Sequence, residues 1–340
     1  MQAIDVTHWS RSPQAQVSLH RALQLFESAY RASSKSPNTV AWYRERLGYF
    51  FAFLEQELGR EPTLADFTRE QFRLFVLDRQ SSGSRVKGRR DAGRPLSSAY
   101  LHGFYRGVRG FSSWLYSEEL IPTNVMSALK APRLDERELQ PLTPDEEVRL
   151  LNSYSESKPL ECRNKSIMIL MLSTGLRRGE VISLRDVDVN FDEGFLTVWG
   201  KGRRQRSIPF GYKTGWLLQR YRSLRRPVPA TSSCDTFFLT VDGYPMTART
   251  VQMLFARART RTQISRLHPH LLRHTYGTRS AELGIPTLTL QRFMGHSQPT
   301  VTERYSHIAR NERIKRDRTY DHVDNLEIRI RRAKGSRAAD

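Results

Sequence analysis

Apolar residues recur at helical spacing through the first third of the chain. Between Val17 and Ala32, the residues Leu19, Leu23, Phe26 and Tyr30 fall on one face and predict a first helix. Ser36 and Pro37 interrupt the pattern. It resumes over Thr39 to Leu58, with Val40, Tyr43, Leu47, Phe50 and Leu54 in a stripe and Asn38 as the expected N-cap. Thr68 to Gln80 predicts a third helix, striped by Phe72, Phe75 and Val76. Pro95 to Glu119 predicts a fourth, carrying Tyr100, Phe104, Phe111, Trp114 and Tyr116. Together they predict a small helical bundle with an aromatic core. Residues 1–16 show no apolar period and are expected to be disordered. Residues 81–95 (SSGSRVKGRRDAGRP) read as a loop of Gly, Ser and Arg.

Residues 131–141 (APRLDERELQP) have prolines near both ends, many charges and few apolar positions, which predicts an interdomain linker. Thr143-Pro144-Asp145-Glu146 then opens a helix, with Thr143 as N-cap, Pro144 in the first turn and the acids completing a capping box. Arg163 to Ser173 predicts a buried helix and Gly179 to Leu184 a short one. Asp186 to Trp199 alternates apolar and polar residues, then returns through Arg206 to Phe210, a hairpin with Lys201 at its tip. Thr214 to Arg226 predicts an amphipathic helix and Thr236 to Thr240 a short strand. Helices are expected over Thr247–Thr262, His270–Leu283, Thr287–Met294 and Thr300–Ile308. A charged tail follows from Asn311, and its early part can form one more helix. The expected fold is mainly α with a small antiparallel β-sheet. The expected divisions are 1–16, a helical domain over 17–130, the linker 131–141, a second domain over 142–310 and a tail over 311–340.

Charge narrows the function. Lys plus Arg number 55 against 35 Asp plus Glu, a net charge of +20. The calculated pI is near 10.4. The excess is spread through segments that look folded, so nucleic acid is the expected partner. No apolar run is long enough to span a membrane, and the first residues lack the pattern of a secretion signal. Cys162 and Cys234 give neither a disulfide framework nor metal-ligand spacing, and a reducing cytoplasm is the expected setting.

Candidate chemistry concentrates between His268 and Tyr305. His270 and Arg273 lie one helical turn apart, so both can point from one face. Upstream, TGLRRGE places Arg177 and Glu180 at the same spacing. His296 follows a Met-Gly turn, and Tyr305 lies further along the chain. Two arginines, two histidines and a tyrosine suit attack on a phosphodiester. Arginine forks bind the phosphoryl oxygens, histidines handle protons, and tyrosine can form a covalent link. No cluster of acids suited to Mg²⁺ is seen, so covalent chemistry without metal or ATP is expected.

TGLRRGE, GKGRRQRSIPF, HPHLLRHTYGT and MGHSQPTVTERY occur in the order and spacing of the tyrosine recombinases, the phage-integrase family. Each motif alone is weak, but four in order over Leu142 to Tyr305 make a strong resemblance. The N-terminal half matches only in general helical character. The resemblance implies a helical, SAM-like core DNA-binding domain followed by a catalytic domain of the DNA breaking-rejoining fold. It makes Arg177 and Arg273 the phosphate clamp, His270 the base or positioning group and His296 a second phosphate ligand. It also makes Lys201 the general acid for the 5′ leaving oxygen, and Tyr305 the nucleophile forming a 3′-phosphotyrosyl intermediate. Glu180 would orient Arg177 or cap its helix, and Arg178 would be the surface member of its pair.

Some roles stay open at this point. Arg203 and Arg204 compete with Lys201, or contact DNA. Tyr320 and Tyr276 are rival nucleophiles, Tyr276 being expected in the core. Arg85, Lys87, Arg89 and Arg90 form either a solvated loop or a phosphate-contacting one. The resemblance further implies double-stranded DNA as substrate, a homotetramer on two synapsed sites, a Holliday junction and an accessory bending or directionality factor. The short stretch before the first helix favours a simple Xer-like or transposon-type plan without an arm-binding domain. A type IB topoisomerase-like enzyme or a telomere resolvase would share the chemistry, and a non-catalytic regulator would keep only the binding.

Overall fold

The computed structural model describes residues 9, 12–82, 96–133, 139–200, 205–231, 233–295 and 322–328. The chain divides into two compact units, Met1–Arg137 and Glu138–Asp340. The expected helix over Thr300–Ile308 lies outside the described residues.

In the first unit α1 spans Leu19–Ala32, α2 Pro37–Leu58, α3 Arg69–Ser82 and α4 Ser98–Ser117. Serine starts three of them: Ser18, Ser36 and Ser97 accept from the backbone N–H three residues on. Ser36 therefore replaces Asn38 as the cap of α2. Pro37 explains the earlier start, because its fixed φ and missing N–H suit the first helical position. Phe26, Phe50, Phe51, Phe72, Phe75, Phe104 and Phe111 are fully buried. Their rings meet edge to face or tilted, edge to face at 5.8 Å for Phe50–Phe72 and 5.0 Å for Phe75–Phe104 and tilted at 5.2 Å for Phe50–Phe75.

The second unit is organised round α6, Pro159–Thr174, which follows α5, Pro144–Asn152. Every residue of α6 from Lys165 to Thr174 is buried. Such a helix must be covered on all sides. The helix α10, Pro269–Glu282, packs along it, as does α8, Tyr212–Arg220, with the π-helical turn Tyr221–Arg225. The capping box of α5 is present, Thr143 and Glu146 each accepting from the other's backbone N–H.

A three-stranded antiparallel sheet in the order β1-β2-β3 sits beside the helices: Val189–Asn190, Phe195–Trp199 and Gln205–Pro209. Leu196 pairs with Ile208 and Val198 with Arg206, so these four share one face. Between α6 and the sheet lies α7, Arg178–Ile182; after the sheet come α9, Ala248–Thr262, and α11, Thr287–Met294. The architecture is mainly α with a small antiparallel sheet.

The strand expected over Thr236–Thr240 does not form. Only isolated bridges occur there, Arg185 with Thr236 and Leu239 with Pro245. Phe237, Phe238 and Leu239 are wholly buried, and their backbone groups are shared out instead of forming a ladder. Phe237 N donates to Leu184 O, Leu239 N to the Tyr221 hydroxyl, and Met246 N to Phe238 O.

Near the C-terminus, residues 322–328 dock on the second unit. Val323 is wholly buried. The Asp324 carboxylate accepts the backbone N–H of Tyr212 and of Lys213, both at 2.8 Å, and so caps α8. His322 Nε2 lies 2.8 Å from Glu147 of α5.

Phe50 contacts the rings of Phe51, Phe67, Phe72 and Phe75. Phe50→Ala should therefore lower stability by about 3–5 kcal/mol, read as a shift in the urea midpoint of the full chain. A midpoint close to wild type would mean that these rings are not one packed cluster.

Candidate active site

The site begins where α6 stops. Gly175 ends the helix at φ 62°, and a Cβ there would lie 2.3 Å from the Tyr276 ring. Only glycine fits both the left-handed backbone and that close approach. Tyr276 is buried on this turn, as expected of a core residue. Leu176 is also buried, and the chain then delivers Arg177 to the N-cap of α7.

Glu180, three residues into α7, reaches back. Its carboxylate accepts the Arg177 backbone N–H at 2.8 Å and Arg177 Nη1 at 3.1 Å. Arg177 Nη2 donates to Gly295 O at 3.0 Å. From the opposite side, α10 presents Arg273, which is 3% exposed. Its Nη1 donates to Gly175 O at 2.7 Å and its Nη2 to Met294 O. Two adjacent carbonyls at the end of α11, those of Met294 and Gly295, are thus held by two different arginines. Helix C-terminal carbonyls carry partial negative charge, so cations settle there. Gly295 is itself left-handed, at φ 60°, and it leads directly into His296.

A third arginine joins them. Arg206 of β3 donates from Nη1 and Nη2 to the two Glu180 oxygens, each at 2.9 Å, and from Nε to Phe293 O at 2.7 Å. Sequence reasoning treated Arg206 only as part of a returning strand. The signal was the period of two: Ile208 faces the core, so Arg206 must as well, and a buried cation needs a partner.

Three guanidiniums against one carboxylate leave 3 − 1 = +2 in this cluster. Burial raises the Glu180 pKa, but the hydrogen bonds and charges of Arg206 and Arg177 outweigh it, and the net shift is downward. Burial and then the neighbouring Arg177 push Arg273 down to about 10, so it stays charged at neutral pH. His270 lies one turn before Arg273. Burial first, and Arg273 second, lower its pKa below the ordinary 6.5, which keeps the ring neutral and able to accept a proton at pH 7. Arg177 is 44% exposed in its side chain and Glu180 8%, so Arg177 opens to solvent while Glu180 and Arg273 lie behind it.

The structure thus brings together Arg177, Glu180, His270 and Arg273 from the expected set and adds Arg206. Arg178 is exposed, as expected. Lys201, Arg203, Arg204, His296, Tyr305 and the rival Tyr320 lie outside the described residues, as do Arg85, Lys87, Arg89 and Arg90.

The phage integrase family profile matches residues 140–312. A tyrosine recombinase XerC from Yersinia pestis is 30% identical over 274 residues, covering 80% of this chain and 85% of the relative. A tyrosine recombinase XerD from Pasteurella multocida is 29% identical over 283 residues, covering 82% and 90%. Among solved structures, the Tn1549 transposon integrase in complex with a circular intermediate DNA shares the fold, with TM-score 0.62, 22% identity and coverage of 82% and 92%. A lambda integrase tetramer bound to a Holliday junction also shares it, with TM-score 0.64, 19% identity and coverage of 89% and 84%. The chain belongs to the phage integrase family.

Gly175→Ala should destabilise the chain by at least the roughly 1–2 kcal/mol of a left-handed non-glycine residue. At Gly179 in α7 an added methyl would meet nothing within 4 Å, and φ is not positive, so Gly179→Ala should be neutral or gain up to about 1 kcal/mol. Thermal melting of both variants checks the contrast, and equal melting points would remove the argument from close approach.

Proposed function

We infer that this chain is a tyrosine-type site-specific DNA recombinase that cuts and rejoins duplex DNA through a 3′-phosphotyrosyl intermediate and a Holliday junction. The observation that carries the reading is the convergence of Arg177 and Arg273, from separate helices, on the adjacent carbonyls that precede His296.

A phosphodiester resists attack because its negative charge repels the nucleophile. Arg177 and Arg273 would hold the non-bridging oxygens and neutralise the charge that grows at phosphorus, usually the largest catalytic contribution. Each spends two of its five N–H groups on the protein partners described above, which leaves donors for phosphate. Neutral His270 would take or share the Tyr305 proton. Lys201 would protonate the departing 5′ oxygen, and His296 would add a further hydrogen bond to the phosphate. Tyr305 is preferred to Tyr320 on motif spacing, and the burial of Tyr276 against Gly175 supports setting it aside.

The relatives named recombinases match this chain over four-fifths of its length, which supports recombination over a topoisomerase-like activity or a non-cutting role. We place core-site DNA binding in residues 17–130, with Arg85, Lys87, Arg89 and Arg90 on phosphates. Residues 131–141 would link this domain to the catalytic domain, 142–310, whose Arg203 and Arg204 also contact DNA. A charged tail follows over 311–340. The working form would be a homotetramer on synapsed sites, helped by an accessory DNA-bending or directionality factor, in the cytoplasm. Among the described residues no helix is long and apolar enough to cross a membrane.

Tyr305→Phe should bind target DNA but form no covalent adduct on a denaturing gel, and wild type should form the adduct in excess EDTA. An adduct that survives in Tyr305→Phe would move the nucleophile to Tyr320, and strict dependence on a divalent ion would sink the metal-free chemistry.

Lys201→Ala should fail on normal DNA yet cleave a substrate with sulfur at the 5′ bridging position at close to the wild-type rate, because a thiolate leaves without a proton. Equal impairment on both substrates would make Lys201 a binding residue.

A further inference from the structure

β3 sends an arginine into the interior. Arg206 pairs with Val198 across the hairpin and shares the buried face with Leu196 and Ile208. Its side chain is 12% exposed. Nε, Nη1 and Nη2 all donate, to Phe293 O and to both oxygens of Glu180. The guanidinium therefore has its nitrogen edges committed inside the protein and is poorly placed to take a DNA phosphate as well. It also packs on the turn at the end of α11, since a Cβ at Gly295 would come within 3.1 Å of it.

What Arg206 holds is what Arg177 depends on. Glu180 accepts both the Arg177 backbone N–H and its Nη1. Bound bidentately by Arg206, the carboxylate is fixed in place and part of its charge is answered. Without Arg206 it would have Arg177 as its remaining ion-pair partner in this cluster and would draw that guanidinium inward, away from a phosphate. Phe293 O would lose its donor at the same time, loosening the turn whose next two carbonyls Arg273 and Arg177 hold.

We propose that Arg206 is a positioning residue for strand cleavage: it braces Glu180 and the Phe293–Gly295 turn, so that Arg177 and Arg273 keep the geometry of the phosphate clamp. The proposal rests on the recombinase reading above. It assigns Arg206 to the clamp and not to leaving-group protonation, although β3 is continuous with the segment that contains Lys201.

The test is single-turnover adduct formation by the full chain, on normal DNA and on the 5′-bridging sulfur substrate, with DNA affinity and melting temperature measured in parallel. Arg206→Gln should slow cleavage about 10²-fold, the order expected when a catalytic group is misplaced by about 1 Å. The loss should be equal on the two substrates, because protonation of the leaving group is not what fails. DNA affinity should be nearly unchanged. Arg206→Lys should rescue poorly, since an ammonium cannot span two carboxylate oxygens. If Arg206→Gln does not fold, Glu180→Gln carries the test: it keeps the shape, removes the charge and should show the same substrate-independent loss. When both single variants fold, the double variant should be no slower than Glu180→Gln alone, because the two act as one unit. Selective recovery on the sulfur substrate, additive losses in the double variant, or a cleavage rate close to wild type in Arg206→Gln would each overturn the proposal. Wild-type protein that forms no adduct on either DNA would overturn the recombinase reading beneath it.

Discussion

The catalytic unit is built round one buried carboxylate. Glu180 lies among positive groups that would repel one another without it, and it ties α7 to β3 through Arg206. Breaking a buried pair by removing one partner typically costs about 3–5 kcal/mol, because the other charge is left unanswered. The site faces two opposed demands. Binding a phosphodiester requires uncompensated positive charge, and folding disfavours burying it. One acid among three arginines leaves a net positive cluster that is still held together. The sign of the Glu180 shift fits this role. Its pKa is lowered in the folded protein, so its contribution is present above the unfolded value of about 4.3 and is lost as pH falls through the lower folded value. At neutral pH the brace is fully charged.

Backbone carbonyls complete what the carboxylate begins. α6 and α11 both end in left-handed glycines, and the carbonyls freed at those ends become acceptors for Arg273 and Arg177. The arginines thus have fixed partners before any DNA arrives. Much of the ordering cost of two long side chains is met during folding and not during catalysis. At Gly175 the glycine is required twice over, by φ and by the ring of Tyr276. At Gly295 it is required by φ, and a Cβ there would also crowd Arg206 at 3.1 Å. A short motif such as TGLRR or MGH is therefore a turn geometry as much as a set of reactive groups.

Much of this was legible in the sequence, and the gaps have physical causes. Helical periodicity located the bundle, and the Thr143 box was readable because a cap is a local interaction. Arg177, Glu180, His270 and Arg273 were legible as spacings within single helices. Asn38 misled because Asn and Ser are comparable caps, and the decisive residue was Pro37. Thr236–Thr240 misled because a short apolar run looks the same whether it pairs in a ladder or is buried with its backbone bonded elsewhere. Arg206 was hidden because its partners, Glu180 and Phe293, are distant in sequence. The docking of residues 322–328 was hidden for the same reason: Asp324 caps a helix that begins at Tyr212.

That docking bears on the segment of the proposed nucleophile. The chain leaves the site at Gly295, where Arg177 holds the carbonyl, and is anchored again at His322 and Asp324, on α5 and α8 of the same unit. Residues 296–321, which contain His296 and Tyr305, connect these two points in sequence. Tyr305 is ten residues from Gly295 and seventeen from His322. A chain reaches at most about 3.3–3.6 Å per residue, or 1.5 Å per residue when helical. The arginine-held end is therefore the nearer of the two anchors in chain length. The groups that would bind phosphate also hold the described residue, Gly295, that precedes the segment containing the proposed nucleophile.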